Sequence, residues 1–173
     1  MPAQRLNNLL DQNNVHYTLI SHSNTYTTAA TGAVAHIPGK EIAKTVMVRI
    51  GGQPTMAVIP GSRHLELKAL KNALGTKEVQ LMTEQEFASA FPDCEVGAMP
   101  PLGVLYDLPV YVDERLSREA EIVFNAGSHG ELVRLAYNDF ERLQNPKLLR
   151  IAAQTASERS EEERSGTGLQ PYC

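Results

Sequence analysis

The stretch Lys44–Pro60, KTVMVRIGGQPTMAVIP, decides the fold. Its two halves, KTVMVRI and TMAVIP, are rich in β-branched residues and alternate in the strand manner, and the GGQP between them carries the glycines a tight reversal needs. The pair therefore predicts an antiparallel hairpin. Val46, Val48 and Ile50 fall on the face that carries Lys44, while Met47 and Arg49 fall on the other. If that face is a core face, Lys44 ends a buried row, its stem packed and its ammonium emerging into a cleft suited to a phosphate or carboxylate. The competing reading is an edge charge that guards the strand from aggregation.

Outward from the hairpin the punctuation is legible. Leu6, Leu9 and Leu10 make the apolar stripe of an opening helix, and VHYTLI (15–20) alternates as a strand. Thr27 or Thr28 offers a helix cap, and Pro38 with Gly39 closes that helix. Leu67, Leu70 and Leu74 recur at helical spacing with Gly75 as the stop. EVQLM reads as a short strand, and Thr83 with Glu86 forms a capping box for a helix that ends at Pro92. LPVYVD and EIVFNAG are two further strands, followed by GSHGELVRLAYNDFERL. This order, with hairpins and interspersed helices, predicts an α+β or α/β domain around a mixed, largely antiparallel sheet.

Composition bounds what such a domain can do. The chain has 173 residues, 42% apolar and none of them Trp, which fits one hydrophobic core. A net charge of −4 excludes the global basic footprint of a duplex-coating protein, so a nucleic acid has to be met by a local patch. Cys94 and Cys173 have no metal-type spacing, and the N-terminal stretch lacks the apolar run of a signal peptide, so a reduced, cytoplasmic setting is expected. No apolar run is long enough to span a bilayer, and no membrane partner is expected. From Ile151 the composition shifts to four acids and two arginines with few large apolar residues. That divides the chain into a body, 1–150, and a polar tail, 151–173, expected to be partly helical and poorly ordered.

A second stretch, Gly97–Gly103, reads GAMPPLG. Pro100 and Pro101 forbid a strand ladder or a helix interior, and the flanking glycines permit unusual backbone angles or close approach to a ligand. It is a shaped loop, stiff at its centre; a tight connection between two elements is its plainer explanation. No nucleophile with a base beside it is evident. Cys94 has none in sequence, and the five histidines form no metal-type pair. His22 and Tyr26 fall on a loop where an aromatic ring could stack on adenine, or be ordinary surface. His129 follows Ser128, which with Glu131 could cap a local turn.

Three separated stretches together resemble the YbaK/prolyl-tRNA-synthetase-associated domain family of free-standing editing proteins. They are HSNTYTTAATGAVAHIPGKEIAKTVMVR (22–49), FPDCEVGAMPPLG (91–103) and YVDERLSREAEIVFNAGSHGELVRL (111–135), within a likeness that runs from about residue 3 to 145. The resemblance implies a mixed-sheet or pseudo-barrel fold with surrounding helices and a pocket for an aminoacyl group and the terminal adenosine. It places the family's essential lysine, in its Ala-Lys-Thr setting, on Lys44 with Thr45 beside it. The family's Gly-x-x-x-Pro loop falls on Gly97, Ala98, Met99, Pro100 and Pro101, with Gly103 after it, and the histidine turn on Gly127, Ser128 and His129. Where many members carry a small hydroxyl residue, this chain has Met99-Pro100.

The activity so implied is trans-acting deacylation of a mischarged tRNA by water attack, without metal or cofactor, assisted by the ribose hydroxyl next to the ester. Lys44 would anchor the tRNA 3′ end. A stiff loop between Gly97 and Pro101 would position the ester and present backbone N–H groups to the oxyanion. Met99 would wall the pocket and favour a small amino acid such as alanine, serine or threonine. Mischarged tRNA is the expected partner, with an aminoacyl-tRNA synthetase as a second. The alternative is a non-catalytic module of the same fold that holds an aminoacyl or nucleotide end and regulates a partner.

Overall fold

The structure, a computed structural model, describes residues 4–22 and 36–153. The helix expected after Thr27 or Thr28, Tyr26, and residues 154–173 lie outside the described residues. Helix α1 (Gln4–Gln12) leads into β1 (Tyr17–Ser21); β2 (Ala43–Ile50) and β3 (Gln53–Pro60) form the expected hairpin, turning at Gly51 and Gly52, both at positive φ. Strand β4 (His64–Leu65), helix α2 (Leu67–Leu74), β5 (Val79–Leu81) and helix α3 (Glu84–Ala88) follow. After the proline loop come β6 (Val110–Asp113), the hairpin of β7 (Glu121–Asn125) and β8 (Glu131–Ala136), helix α4 (Tyr137–Gln144), β9 (Lys147–Leu149) and β10 (Ala152–Ala153).

Local chemistry accounts for the helix ends. Gly75 takes the left-handed conformation past α2, at φ 65°. At α3 both halves of the capping box form: the Thr83 N–H donates to Glu86 Oε2 at 2.7 Å and the Glu86 N–H to Thr83 Oγ1 at 3.2 Å. That helix ends at Ala88, before Pro92, and the chain continues in turns.

The strands make a five-stranded mixed sheet in the order β5-β2-β3-β6-β9, a three-stranded antiparallel sheet β1-β8-β7 and the short antiparallel pair β10-β4. The described strands do not close into a barrel. An isolated bridge, Ile42 to Val123, joins the two larger sheets. Between those sheets lies the main core: Met47, Met56, Val58 and Val112 from one side, Ile122, Phe124, Val133 and Leu135 from the other, closed by Leu6 and Leu10 of α1 and Phe140 of α4. The opposite face of the five-stranded sheet carries a second cluster, in which Val48, Ala57 and Ile59 meet Leu70 of α2 and Ile151. Covered on both faces, β3 is buried continuously from Thr55 to Pro60 instead of alternating.

The second cluster also takes in the first residues after the change of composition, Ile151 and Ala152. Ile151 is fully buried, and the carboxylate of Asp113, itself fully buried, accepts the N–H groups of Ile151 (2.9 Å) and Ala152 (2.8 Å). Arg115 pairs with the same carboxylate at 3.1 Å. Ile151 and Ala152 are thus packed and hydrogen-bonded against β6 and the second cluster.

Candidate functional site

The proline loop begins in a turn that a glycine has to complete. The Ala98 N–H donates to the Glu95 carbonyl at 3.0 Å, closing a four-residue turn whose third residue, Gly97, sits at φ +84°, as a type II turn requires. A Cβ at Gly97 would meet only His129 Cε1, at 3.7 Å, so the glycine is needed for its backbone angle. Gly103 is needed for a different reason. A Cβ there would stand 2.2 Å from the Leu108 carbonyl oxygen and 2.6 Å from Val110 Cγ2, so the chain closes on itself at that point.

The hairpin between β7 and β8 holds this turn. Glu95 N–H donates to the Gly127 carbonyl (2.8 Å) and Gly127 N–H to the Ala98 carbonyl (2.9 Å), a two-bond ladder across the loop. Gly127 lies at φ +99°. The Glu95 carboxylate accepts the His129 N–H at 3.0 Å. Nε2 of His129 lies 2.8 Å from the Val96 carbonyl oxygen; a carbonyl only accepts, so that nitrogen carries a proton. His22 joins by its backbone, its N–H donating to the Gly130 carbonyl at 2.9 Å. On the other flank the Thr45 hydroxyl donates to the Met99 carbonyl at 3.2 Å, tying the loop to β2.

These contacts orient one peptide. No peptide in the described residues is cis, so the C=O of Val96 and the N–H of Gly97 point to opposite sides of a single plane. With the carbonyl held by His129, the Gly97 N–H faces away from it, on the exposed part of the loop formed by Glu95, Val96 and Gly97. Among the described residues it donates to no backbone carbonyl. A fixed N–H at an exposed glycine is a donor suited to a developing oxyanion.

The stiff half of the loop faces inward. Ala98, Met99, Pro100 and Pro101 are buried, and the Met99 side chain packs into the main core beside Phe87, Phe91 and Cys94. Cys94 Sγ lies 3.1 Å from the Tyr106 hydroxyl, and burial, with Asp93 adding to it, pushes the thiol up to about 11. The Tyr106 hydroxyl is pushed up as well, first by burial and then by Cys94. Cys94 is thus a protonated packing residue at neutral pH. Arg5 of α1 braces this end of the loop, stacked 5.1 Å over the Tyr106 ring and bonded to the Leu105 carbonyl.

Lys44 stands apart from this assembly. It is half-buried opposite Ile59, on the α2 face of the sheet, whereas Thr45 turns to the loop face. No hydrogen bond or ion pair joins it to the loop among the described residues. The structure thus brings together Thr45, Gly97, Ala98, Met99, Gly127, His129 and the backbone of His22. Ser128 lies half-buried on the same turn. Among the described residues no three His, Cys, Asp or Glu side chains converge as a metal site. Glu95 and Val96, which connect the loop to His129, were not anticipated: the partners are more than thirty residues apart and no local spacing signals them.

A mixed-sheet domain whose glycine-proline loop is clamped by a histidine turn defines the class to which the chain is compared. The model of the aminoacyl-tRNA editing domain matches residues 22–143, and the chain belongs to that family. It is 25% identical over 140 residues to the prolyl-tRNA editing protein ProX of Acetoanaerobium sticklandii, covering 78% of this chain and 85% of that protein. It is 29% identical over 107 residues, 61% of this chain, to EbsC of Enterococcus faecalis, described as a candidate Cys-tRNA(Pro)/Cys-tRNA(Cys) deacylase. The match spans 65% of EbsC, and one to the proline–tRNA ligase of Nitratidesulfovibrio vulgaris, 28% identical over 58% of this chain, spans 17% of that enzyme. A solved structure described as a candidate trans-editing enzyme for prolyl tRNA synthetase superposes with a TM-score of 0.76 at 18% identity, over 88% of this chain and 97% of that one. No described helix is long and apolar enough to cross a membrane.

Proposed function

We propose that the chain is a trans-acting aminoacyl-tRNA deacylase that hydrolyses the ester of a mischarged tRNA bearing a small amino acid. The observation that carries this reading is the Val96–Gly97 peptide, held by His129 with its N–H turned outward. Water attack on the ester carbonyl makes a tetrahedral oxyanion; the Gly97 N–H stabilises it, and collapse releases the amino acid and the tRNA ribose hydroxyl. The ribose hydroxyl next to the ester assists. Because the donor is set by the fold before substrate arrives, no reorganisation is needed during the reaction.

Lys44, one residue before the loop-binding Thr45, anchors the tRNA 3′ end as a point charge on a flexible stem. His22, Ser128 and Gly127 line the space around the terminal adenosine, and Met99 sets the size limit on the aminoacyl group. The matches inside proline–tRNA ligases support a functional tie to a synthetase, and a cytoplasmic setting follows from the substrate. The test is release of labelled amino acid from a panel of mischarged tRNAs under single-turnover conditions. Release from at least one of them supports the enzyme, whereas binding without release favours the regulatory module.

A further inference from the structure

A protein of net charge −4 has to meet a polyanion somewhere, and its cations are unevenly distributed. Residues 36–82 hold seven Lys and Arg against Glu41, Glu66 and Glu78, a net +4, so the rest of the chain carries −8. Outside that stretch Arg5, Arg115, Arg118, Arg142 and Arg150 are each in an ion pair with an acid. Among the described residues Lys40, Lys44 and Lys68 enter none.

The topology gathers part of this charge at one end of the five-stranded sheet. Strand β2 starts where β3 finishes, with Lys44 opposite Ile59 and the Gly61 N–H donating to the Ile42 carbonyl at 2.8 Å. Just before β2, a Cβ on Gly39 would stand 3.0 Å from the Ser62 Cβ, so Lys40 and Arg63, the next residues after these two, flank one contact. His64 follows on β4, and Lys68 lies in the first turn of α2. Lys40, His64 and Lys68 are exposed, Lys44 and Arg63 half-buried, and with half-buried Glu41 and exposed Glu66 among them this end carries four Lys and Arg against two acids, a net +2. Among the described residues the exposed large apolar side chains, Leu19, Leu81, Val96, Val104 and Leu148, lie elsewhere.

We infer that this end of the sheet, carried by Lys40, Lys44, Arg63, His64 and Lys68, binds the sugar-phosphate backbone of an RNA. The inference rests on the deacylase reading for its choice of RNA. Separate cations with no apolar anchor among them suit phosphates, which are held by charge, better than a protein partner, which needs buried apolar anchors. Such a surface aligns the acceptor end without reading its sequence.

The experiment measures the affinity of uncharged tRNA, by fluorescence anisotropy, between about 50 and 200 mM salt. The double variant Lys40→Gln/Lys68→Gln should lower the slope of log K against log salt by about two, one unit per phosphate contact, and weaken binding at the low-salt end by about tenfold. Lys147→Gln, on the far edge strand β9, should leave both unchanged, and thermal melts confirm that all variants fold. An unchanged slope in the double variant, or an equal loss in Lys147→Gln, overturns the inference. Release of amino acid is read separately. Hydrolysis with an unaltered salt slope removes the basic end alone, whereas the expected slope change without hydrolysis keeps it and removes the deacylase reading.

Discussion

His129 and Val96, thirty-three residues apart, are joined by a hydrogen bond of 2.8 Å from an imidazole nitrogen to a main-chain carbonyl. The bond fixes the peptide whose other end is the Gly97 N–H. In the proposed mechanism His129 is a positioning residue: its removal would free the peptide to rotate and withdraw the donor from the oxyanion. His129→Ala is expected to slow single-turnover hydrolysis by about ten- to a hundredfold, within the range seen when one oxyanion donor is lost. His129→Gln, which keeps an N–H donor, should recover part of the rate, and a rate in His129→Ala equal to the parent's would remove this role.

The two glycines at the ends of the loop should fail differently. Gly97→Ala forces a side chain into φ +84° with space around it, so the loop shifts conformation at a cost of about 1–2 kcal/mol. Turnover falls on every substrate while the melting temperature drops by only about 2–8 °C. Gly103→Ala drives a methyl group to within 2.2 Å of the Leu108 carbonyl oxygen, so stability falls by about 3 kcal/mol or more. Urea melts and single-turnover rates on both variants separate the two effects.

Met99 combines two demands. Its carbonyl takes the Thr45 hydroxyl, and its side chain, 4% exposed, fills the core. Met99→Ala should lower stability by about 2–4 kcal/mol through the cavity it leaves. It should also widen the range of accepted aminoacyl groups toward larger ones. Met99→Leu keeps the volume and should keep both stability and substrate ranking. An unchanged ranking in Met99→Ala takes the side chain out of the pocket.

The hairpin 44–60, the capping box at Thr83 and the stop at Gly75 were legible because each depends on residues close together in the chain. Strands β4, β9 and β10, two or three residues each, were not, since unlike the alternating EVQLM of β5 their runs show no period and they form only by pairing with distant partners. The burial of Ile151 was not legible for the same reason: the small, polar composition from there on hides that Asp113, thirty-eight residues earlier, accepts its N–H. Of the site, the loop and the histidine turn were visible as motifs. Their mutual clamp through Glu95 and Val96 was not; strand alternation already set Lys44 and Thr45 on opposite faces, but it could not show that both faces of the sheet are covered.

Cys94 provides a test by pH. Its thiol, raised from 9.0 to about 11, binds its proton more tightly in the folded state. The stability this contributes is present below pH 9 and is lost as pH rises from about 9 to 11. In a Cys173→Ser background, alkylation of Cys94 near pH 8 should be about a hundredfold slower folded than unfolded, in proportion to the thiolate fraction. Cys94→Ser should keep hydrolysis. Rapid alkylation of the folded protein would mark the thiol as reactive.

The anchoring role of Lys44 is the central claim that the structure leaves most exposed to test, since its side chain and the loop occupy opposite faces of β2. The direct measurement is single-turnover release of amino acid from mischarged tRNA by the parent and by Lys44→Ala, with melting temperatures alongside. The parent should release amino acid, and Lys44→Ala, folded as before, should do so at least ten- to a hundredfold more slowly, the loss of a charge-assisted contact of about 1.5–3 kcal/mol. Full activity in Lys44→Ala, or no release by the parent from any tRNA of the panel, would contradict the account.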